Sequence, residues 1–272
     1  PDVKVIVSGV NRGFAGGNNL GVEVSKGQFL FFINNDAVIT EGAVNTMIAD
    51  FNNPFVGMVS PLICYYPMAS QDIGADIIQY AGATNVHPLT GRNAIIGEKR
   101  RNQSQYYQSK PTFYAHGAAM MVKRKVLETV GLMSEQFFLY YEELDWCERT
   151  RKAGYTILFE PNAMIYHKES VSVGASNPMK TYYLNRNRIL FMAKNRSRLA
   201  YWGFVLYLFL IAIPKNVLTF GLKREWAHLS AFLRAVRWNF TKNEQRKLAL
   251  GEPVKRAAPL GKEPVVTPLN LV

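Results

Sequence analysis

The chain has 272 residues, 48% hydrophobic and 19% charged, which supports a full buried core and excludes a disordered polymer. Its +12 charge is lopsided: residues 1–178 carry 15 Lys/Arg against 16 Asp/Glu, net −1, and residues 179–272 carry 17 against 4, net +13. A basic C-terminal part on a near-neutral body points to a polyanionic surface, either nucleic acid or anionic lipid. The cysteines, Cys64 and Cys147, have neither metal nor disulfide spacing, so free thiols and a reducing compartment are expected.

Val3–Val7 reads as a short buried strand. The chain opens with Pro1, without a secretory signal and already in a strand, so a domain start is expected upstream. Asn11-Arg12-Gly13-Phe14-Ala15-Gly16-Gly17-Asn18-Asn19 then opens a helix running to about Lys26. Glycines there allow backbone N–H groups close to a ligand, and a helix N-terminus favours phosphate; a plain strand-to-helix turn explains the segment equally well. The dinucleotide pattern G-x-G-x-x-G is absent. Gln28–Ile33 is a second buried strand and ends in Asn34-Asn35-Asp36. Ligands gather at the carboxyl ends of strands, where a carboxylate can hold a divalent cation that grips a diphosphate. The competing role for Asp36 is to cap the next helix, about Glu41–Asn52.

Phe55–Ser60 is another expected strand, and Ile73–Tyr80 and Gly91–Gly97 are short strands around a loop over the cleft. Arg92 and Lys99–Arg101 either touch a phosphate or form a solvated basic loop. Phe113–Val122 reads as one strand with small residues at its centre, followed by a helix from Lys123 to Val130 that Gly131 stops. His116 either lines an acceptor pocket or is a satisfied histidine at a strand start.

The stretch from Phe137 to Tyr155 carries the most chemistry. An aromatic run leads into Glu142, Glu143 and Asp145, a basic segment (Arg149, Arg151, Lys152) follows, and Gly154 closes it. This is a helix of about three turns with acids first, bases last and a glycine stop. The acids either complement the helix dipole or, lying behind aromatic residues, sit at a cleft edge facing the Asp36 turn as a general base. Thr156–Phe159 and Ala163–Tyr166 are strands on either side of Pro161, and His167 after them is either a metal ligand completing the site begun by Asp36 or a structural histidine.

From Met179 the character changes. A helix begins at Tyr182-Tyr183-Leu184-Asn185-Arg186-Asn187-Arg188, and Leu199–Ile213 is almost wholly apolar before Pro214-Lys215 interrupts it. That run falls short of the roughly twenty residues of a membrane span. With Lys223, Arg224, Trp226, Arg234, Arg237 and Trp238 behind it, it fits a membrane-interface hairpin or amphipathic helices better than a buried core helix. The apolar neighbourhood makes anionic lipid, not nucleic acid, the partner of the +13. The expected organisation is a catalytic domain over 1–178, a basic and apolar helical segment over 179–250, and a disordered tail over 251–272.

As a set these motifs resemble the family 2 glycosyltransferases of GT-A fold, especially the bacterial rhamnosyltransferase branch. The matching pieces are NRGFAGGNN (11–19), FINNDA (32–37), HGAAMMVKRKVLETVG (116–131), FFLYYEELDWCERTRKAGY (137–155), HKESVS (167–172) and YYLNRNR (182–188). The resemblance implies an α/β fold of Rossmann-like GT-A type, a nucleotide-sugar donor, a divalent metal (Mn2+ or Mg2+) and inversion at the anomeric carbon. It places the donor on Asn11, Gly13, Phe14, Ala15, Gly16, Asn18, Asn34, Asn35 and Asp36, and the metal on Asp36 and His167. Two aspartates are common in the family's metal turn, and Asn34 stands at the other variable position. Glu143 aligns as the base, with Glu142 and Asp145 positioning the acceptor and Asp145 the alternative base; His116, Gly117 and Trp146 belong to the acceptor side. The first strand, helix and strand of the family have no counterpart before Val3–Val7, so about fifty family residues are expected to be missing. The expected setting is the cytoplasmic face of a bacterial inner membrane, with a lipid-linked or surface-glycan acceptor. The rival expectation is a non-catalytic glycan- or membrane-binding module built on the same fold.

Overall fold

The computed structural model describes residues 3–67, 76–168, 177–241 and, by backbone alone, 265–268. Residues 73–75 of one expected strand and 169–172 of the HKESVS motif lie outside the described residues.

The chain forms β1 (Lys4–Val7), α1 (Gly13–Val24), β2 (Phe29–Ile33), β3 (Ala37–Ile39), α2 (Ala43–Asp50), β4 (Val56–Tyr65), β5 (Ile78–Tyr80), β6 (Lys110–Thr112), β7 (Ala119–Lys123), α3 (Arg124–Val130), α4 (Glu142–Lys152), β8 (Thr156–His167) and α5 (Pro178–Asn195). A helical unit follows: α6 (Arg198–Tyr207), a π-helical turn (Leu208–Ala212), α7 (Ile213–Leu222) and α8 (Trp226–Phe240). The main sheet runs β2-β7-β4-β8-β3, with β5 paired to β4 and β6 to β8. β7 is antiparallel to β2 and β4, whereas β4 and β8 are parallel. The carboxyl ends of β2, β4 and β8 therefore share one edge with the start of β7. Nine of the ten residues of β4 are buried, as a central strand covered on both faces requires.

Four expectations about elements need correction. β1 does not join the main sheet; it pairs antiparallel with Val265–Pro268, so part of the tail expected to be disordered is strand. Residues 91–97 form no strand, only an isolated bridge from Ala83 to Ile95. Phe113–Val122 is broken: the Ala119 N–H bonds the His116 carbonyl and the Ala118 N–H bonds His116 Nδ1, so a turn replaces the strand's first half. Conversely, Thr156–His167 is one strand, because Pro161–Ala163 bulge out of register between the Pro61–Glu160 and Leu62–Met164 pairs.

Arg198–Leu222 is one continuous helical run of 25 residues. Pro214 does not interrupt it: the π-helical turn just before absorbs the missing donor, and Asn216 Nδ2 donates to the Ala212 carbonyl at 2.6 Å. One hydrophobic core packs the sheet against α2, α3 and α4. A second joins α5, α6 and α8 to Phe137 and Tyr141, just ahead of α4. The helical unit is thus rooted beside the acidic helix.

Candidate active site

The edge at the ends of β2 and β8 carries the Asp36 turn. The Asn34 N–H donates to the Ala118 carbonyl and the Ala37 N–H to the Asn34 carbonyl, so the turn is held from both sides. Asn35 points to solvent. Asp36 does not cap α2, whose N-cap is Gly42 in the left-handed region. Its Oδ1 instead lies 3.1 Å from His167 Nε2. Asn34 Nδ2 is 3.2 Å from the same Nε2, and Gln79 Oε1 is 2.8 Å from His167 Nδ1. An amide oxygen at Nδ1 calls for the proton there, which leaves the lone pair on Nε2 facing a carboxylate oxygen.

That arrangement fits a cation. Asp36 Oδ1 is buried without a hydrogen-bond partner, and an imidazole lone pair beside it supplies the second donor. Among the described residues no group of three or more His, Cys, Asp or Glu forms a full metal cage. Two protein ligands suit Mg2+ or Mn2+ held jointly with phosphate oxygens and water.

Glu142 and Glu143 head α4, which has its acids in the first turn, its bases in the last and Gly154 at φ +89° just beyond. The chain reaches them through an unusual turn. Phe138, Tyr140 and Tyr141 have φ of 64°, 68° and 74°, which costs roughly 1–3 kcal/mol at each non-glycine residue. Side chains of α5 hold it there. Asn187 Nδ2 contacts the carbonyls of Phe137, Leu139 and Tyr140 at 2.8, 2.7 and 2.7 Å. Arg186 donates to the Gln136 and Phe137 carbonyls. From the other side the Phe14 N–H donates to the Phe138 carbonyl at 2.8 Å.

This contact changes the reading of the glycine-rich segment. Gly13 has φ +68°, and a Cβ there would lie 2.1 Å from the Phe138 carbonyl oxygen; one at Gly16 would lie 3.2 Å from the Glu135 carboxylate. The close approaches these glycines permit are thus to the protein's own turn. Asn11 Oδ1 accepts from the Gly13 N–H, Asn18 bonds back to the Phe14 carbonyl, and Ala15 is core. Phe14 does reach the cleft: its ring and Glu143 Oε1 both border the Cβ position of Gly117.

Glu143 Oε1 accepts from the Tyr114 hydroxyl at 3.0 Å, and Oε2 has no partner. Burial and the adjacent carboxylate keep Tyr114 protonated by pushing its pKa well above the ordinary tyrosine value. Burial also raises Glu143, although the backbone amides of the helix start and Tyr114 pull the other way. The dipole alone predicts a readily ionised base; desolvation outweighs it. Glu142 is 1% exposed, and burial first, then Glu143, push it well up.

Asp145 and Trp146 turn away from the cleft. Asp145 is fully buried and binds Arg149 Nε at 2.9 Å, Asn195 Nδ2 at 2.8 Å and Lys194, pinning α4 to α5. Trp146 Nε1 donates to the Gly131 carbonyl and its ring meets Phe32 edge-on at 5.3 Å, so it is core and not acceptor wall. His116 lies between the two carboxylate sites: its ring centroid is 6.0 Å from Tyr114 and 6.5 Å from His167, and burial beside His167 lowers its pKa to about 4. Tyr114, Gln79, Asn187 and Arg188 were not singled out from sequence. For the last two, the YYLNRNR motif was the available signal.

A mixed sheet with an acidic turn at its carboxyl edge, facing a carboxylate-headed helix, is the GT-A arrangement of nucleotide-sugar transferases. Residues 1–131 match the family model described as Glycosyl transferase family 2. Similar proteins include the low-salt glycan biosynthesis hexosyltransferase Agl10 of Haloferax volcanii, 27% identical over 57% of this chain and 48% of that protein. The dTDP-rhamnosyl transferase RfbF of Shigella flexneri is 24% identical over 86% of this chain and 79% of its own. The N-acetylglucosaminyl-diphospho-decaprenol L-rhamnosyltransferase of Mycobacterium tuberculosis is 22% identical over 72% and 69%. The chain thus spans about half the length of Agl10 and most of the two rhamnosyltransferases.

Proposed function

We propose that the chain transfers a sugar, rhamnose or a similar hexose, with inversion, from a nucleotide-diphosphate donor to a lipid-linked or cell-surface glycan acceptor. The observation that carries this reading is Glu143, whose Oε2 is free while Tyr114 fixes Oε1, on the wall of a cavity of about 440 Å3. A carboxylate so placed takes the proton from an acceptor hydroxyl as that oxygen attacks the anomeric carbon from the face opposite the departing diphosphate. Its raised pKa makes it a stronger base than a solvated glutamate. Asp36 and His167 would hold the divalent cation, with Asn34 against His167 and Gln79 fixing the ring. When bound, that cation neutralises charge on the leaving diphosphate.

The same reading seats the protein on the cytoplasmic face of a bacterial inner membrane through Arg198–Leu222. Only 11% of its most apolar window is buried, and Leu199, Trp202, Leu206, Leu210, Leu218 and Leu222 are exposed. Trp226, Arg234 and Arg237 line a shallow apolar groove on α8, the helix packed against α7, a combination that suits anionic headgroups.

Calorimetric titration with dTDP and UDP, with and without Mn2+, beside Asp36→Ala tests the donor half. Metal-dependent binding abolished by Asp36→Ala is expected, and metal-independent binding unchanged by it would overturn the assignment.

A further inference from the structure

We propose that Arg188 and Arg92 form an anion seat in the acceptor half of the cleft, taking the diphosphate of a polyprenyl-diphosphate-linked acceptor sugar. This rests on the transferase reading above. The cavity that Glu143 lines is also walled by Arg92, Asn93, Tyr141, Asn185 and Arg188, whereas Asp36, His116 and His167 do not line it. Arg188 is 3% exposed, yet among the described residues its side-chain hydrogen bond is to the neutral Asn185 Oδ1 at 3.2 Å, and its Nε is buried without a partner. Among the described residues no carboxylate forms an ion pair with it. Arg92 is its charged neighbour and repels it, so burial and like charge together lower the pKa of Arg188.

The buried Arg188 guanidinium, left without a counter-ion, is costly unless a ligand supplies the negative charge, and the exposed Arg92 adds a second positive charge to the same cavity. The placement is built. Gly91 has φ +64° and leaves no room for a Cβ, which would meet Arg188 Cγ and Met192 Cγ at 3.0 Å. The Tyr141 hydroxyl donates to the Gly91 carbonyl at 2.9 Å, so the loop bearing Arg92 is tied to the same turn that presents the base. An anion seated here lies within the cavity of Glu143 and away from the Asp36–His167 pair, which suits an acceptor's diphosphate and not the donor's. The loop bearing Arg92 also packs on α6, since the Cβ position of Gly91 is 3.2 Å from Phe204, so the cavity lies near the root of the exposed apolar helix.

The test uses farnesyl diphosphate as probe, titrated by calorimetry into the full chain in EDTA, with dTDP plus Mn2+ titrated in parallel. The wild type binds the probe without metal, and farnesol does not compete. Arg92→Gln, an exposed substitution, and Arg188→Gln each weaken the probe by roughly tenfold or more, as expected for lost charge-assisted hydrogen bonds. Asp36→Ala leaves probe binding unchanged while abolishing that of dTDP. Should Arg188→Gln not fold, Arg92→Gln decides alone. The proposal is overturned if the wild type does not bind the probe in EDTA, or if Arg92→Gln binds it as well as the wild type. Loss of the probe in Asp36→Ala would overturn it too, marking the seat as the donor's diphosphate site. Failure of dTDP binding with the probe still bound would instead count against the transferase reading alone.

Discussion

Asn187→Ala separates the positioning of the base from the base itself. Its amide contacts three carbonyls of the turn that leads into Glu142, all within 2.8 Å. After truncation the Phe137 carbonyl keeps Arg186 at 3.0 Å, while those of Leu139 and Tyr140 lose their side-chain donor. At about 1 kcal/mol net per hydrogen bond, and somewhat more for a buried carbonyl left unmade, the loss is roughly 2–4 kcal/mol. Relaxation of the three left-handed residues returns part of their strain, so about 2–3 kcal/mol is the expected destabilisation. The same relaxation moves the start of α4. A base displaced by about 1 Å costs on the order of a hundredfold in rate, so kcat falls while the donor KM, set at the Asp36 edge, is nearly unchanged. Denaturant unfolding and steady-state transfer kinetics on one preparation read both quantities. A variant that loses the stability but keeps kcat would refute the idea that this turn positions the base.

Glu143→Gln removes the proton acceptor at constant shape, and kcat should drop by about 10²–10⁴ with dTDP affinity retained, which single-turnover assays and calorimetry check together. The pH profile should show an acid limb above the ordinary carboxylate value of 4.5, because burial raises Glu143; a limb at or below that value would contradict the desolvated site. Glu142 has a folded pKa raised above its unfolded one, so the folded state binds more protons: its stability contribution is full below about pH 4.5 and is lost as pH rises through the folded pKa. Glu142→Gln should therefore raise the melting temperature at pH 8 and leave it unchanged near pH 4. Asp145→Ala should cost about 2–4 kcal/mol, its partners Arg149 and Lys194 being partly solvated, without altering dTDP affinity. Leu206→Glu with Leu210→Glu should abolish cosedimentation with anionic vesicles while leaving the melting curve intact, since both side chains are exposed.

The parts of this site visible in the sequence are those that local pattern dictates. Acids, bases and a glycine stop marked α4, and an apolar run ending in Asn34-Asn35-Asp36 marked a strand end. What pattern could not give was direction. Asp145 lies two residues beyond Glu143, about 200° around a helix, so it faces α5 when Glu143 faces the cleft. Trp146 follows it inward, to Phe32. Gly13 looks the same in sequence whether its missing side chain makes room for a phosphate or for the Phe138 carbonyl that lies against it. Pro214 reads as a breaker and shortens the expected apolar helix, and only a π-helical turn, which leaves no residue signature of its own, carries the helix past it.

α5 connects these pieces mechanically. Arg186 and Asn187 hold the turn that presents Glu143, and Arg188, one residue further round the helix, walls the cavity that Glu143 faces. Lys194 and Asn195, at the end of the same helix, hold Asp145 and so fix the body of α4. The opposite face of α5 packs on α8, and the core they share includes Phe204 and Leu208 of the apolar helix. α5 buries two arginines and two asparagines, and Arg186, Asn187 and Asn195 each spend their polar atoms on the turn or on α4, while the Arg188 Nε is left unpaired. α5 thus joins the core under the exposed apolar helix to the turn that presents the carboxylate pair.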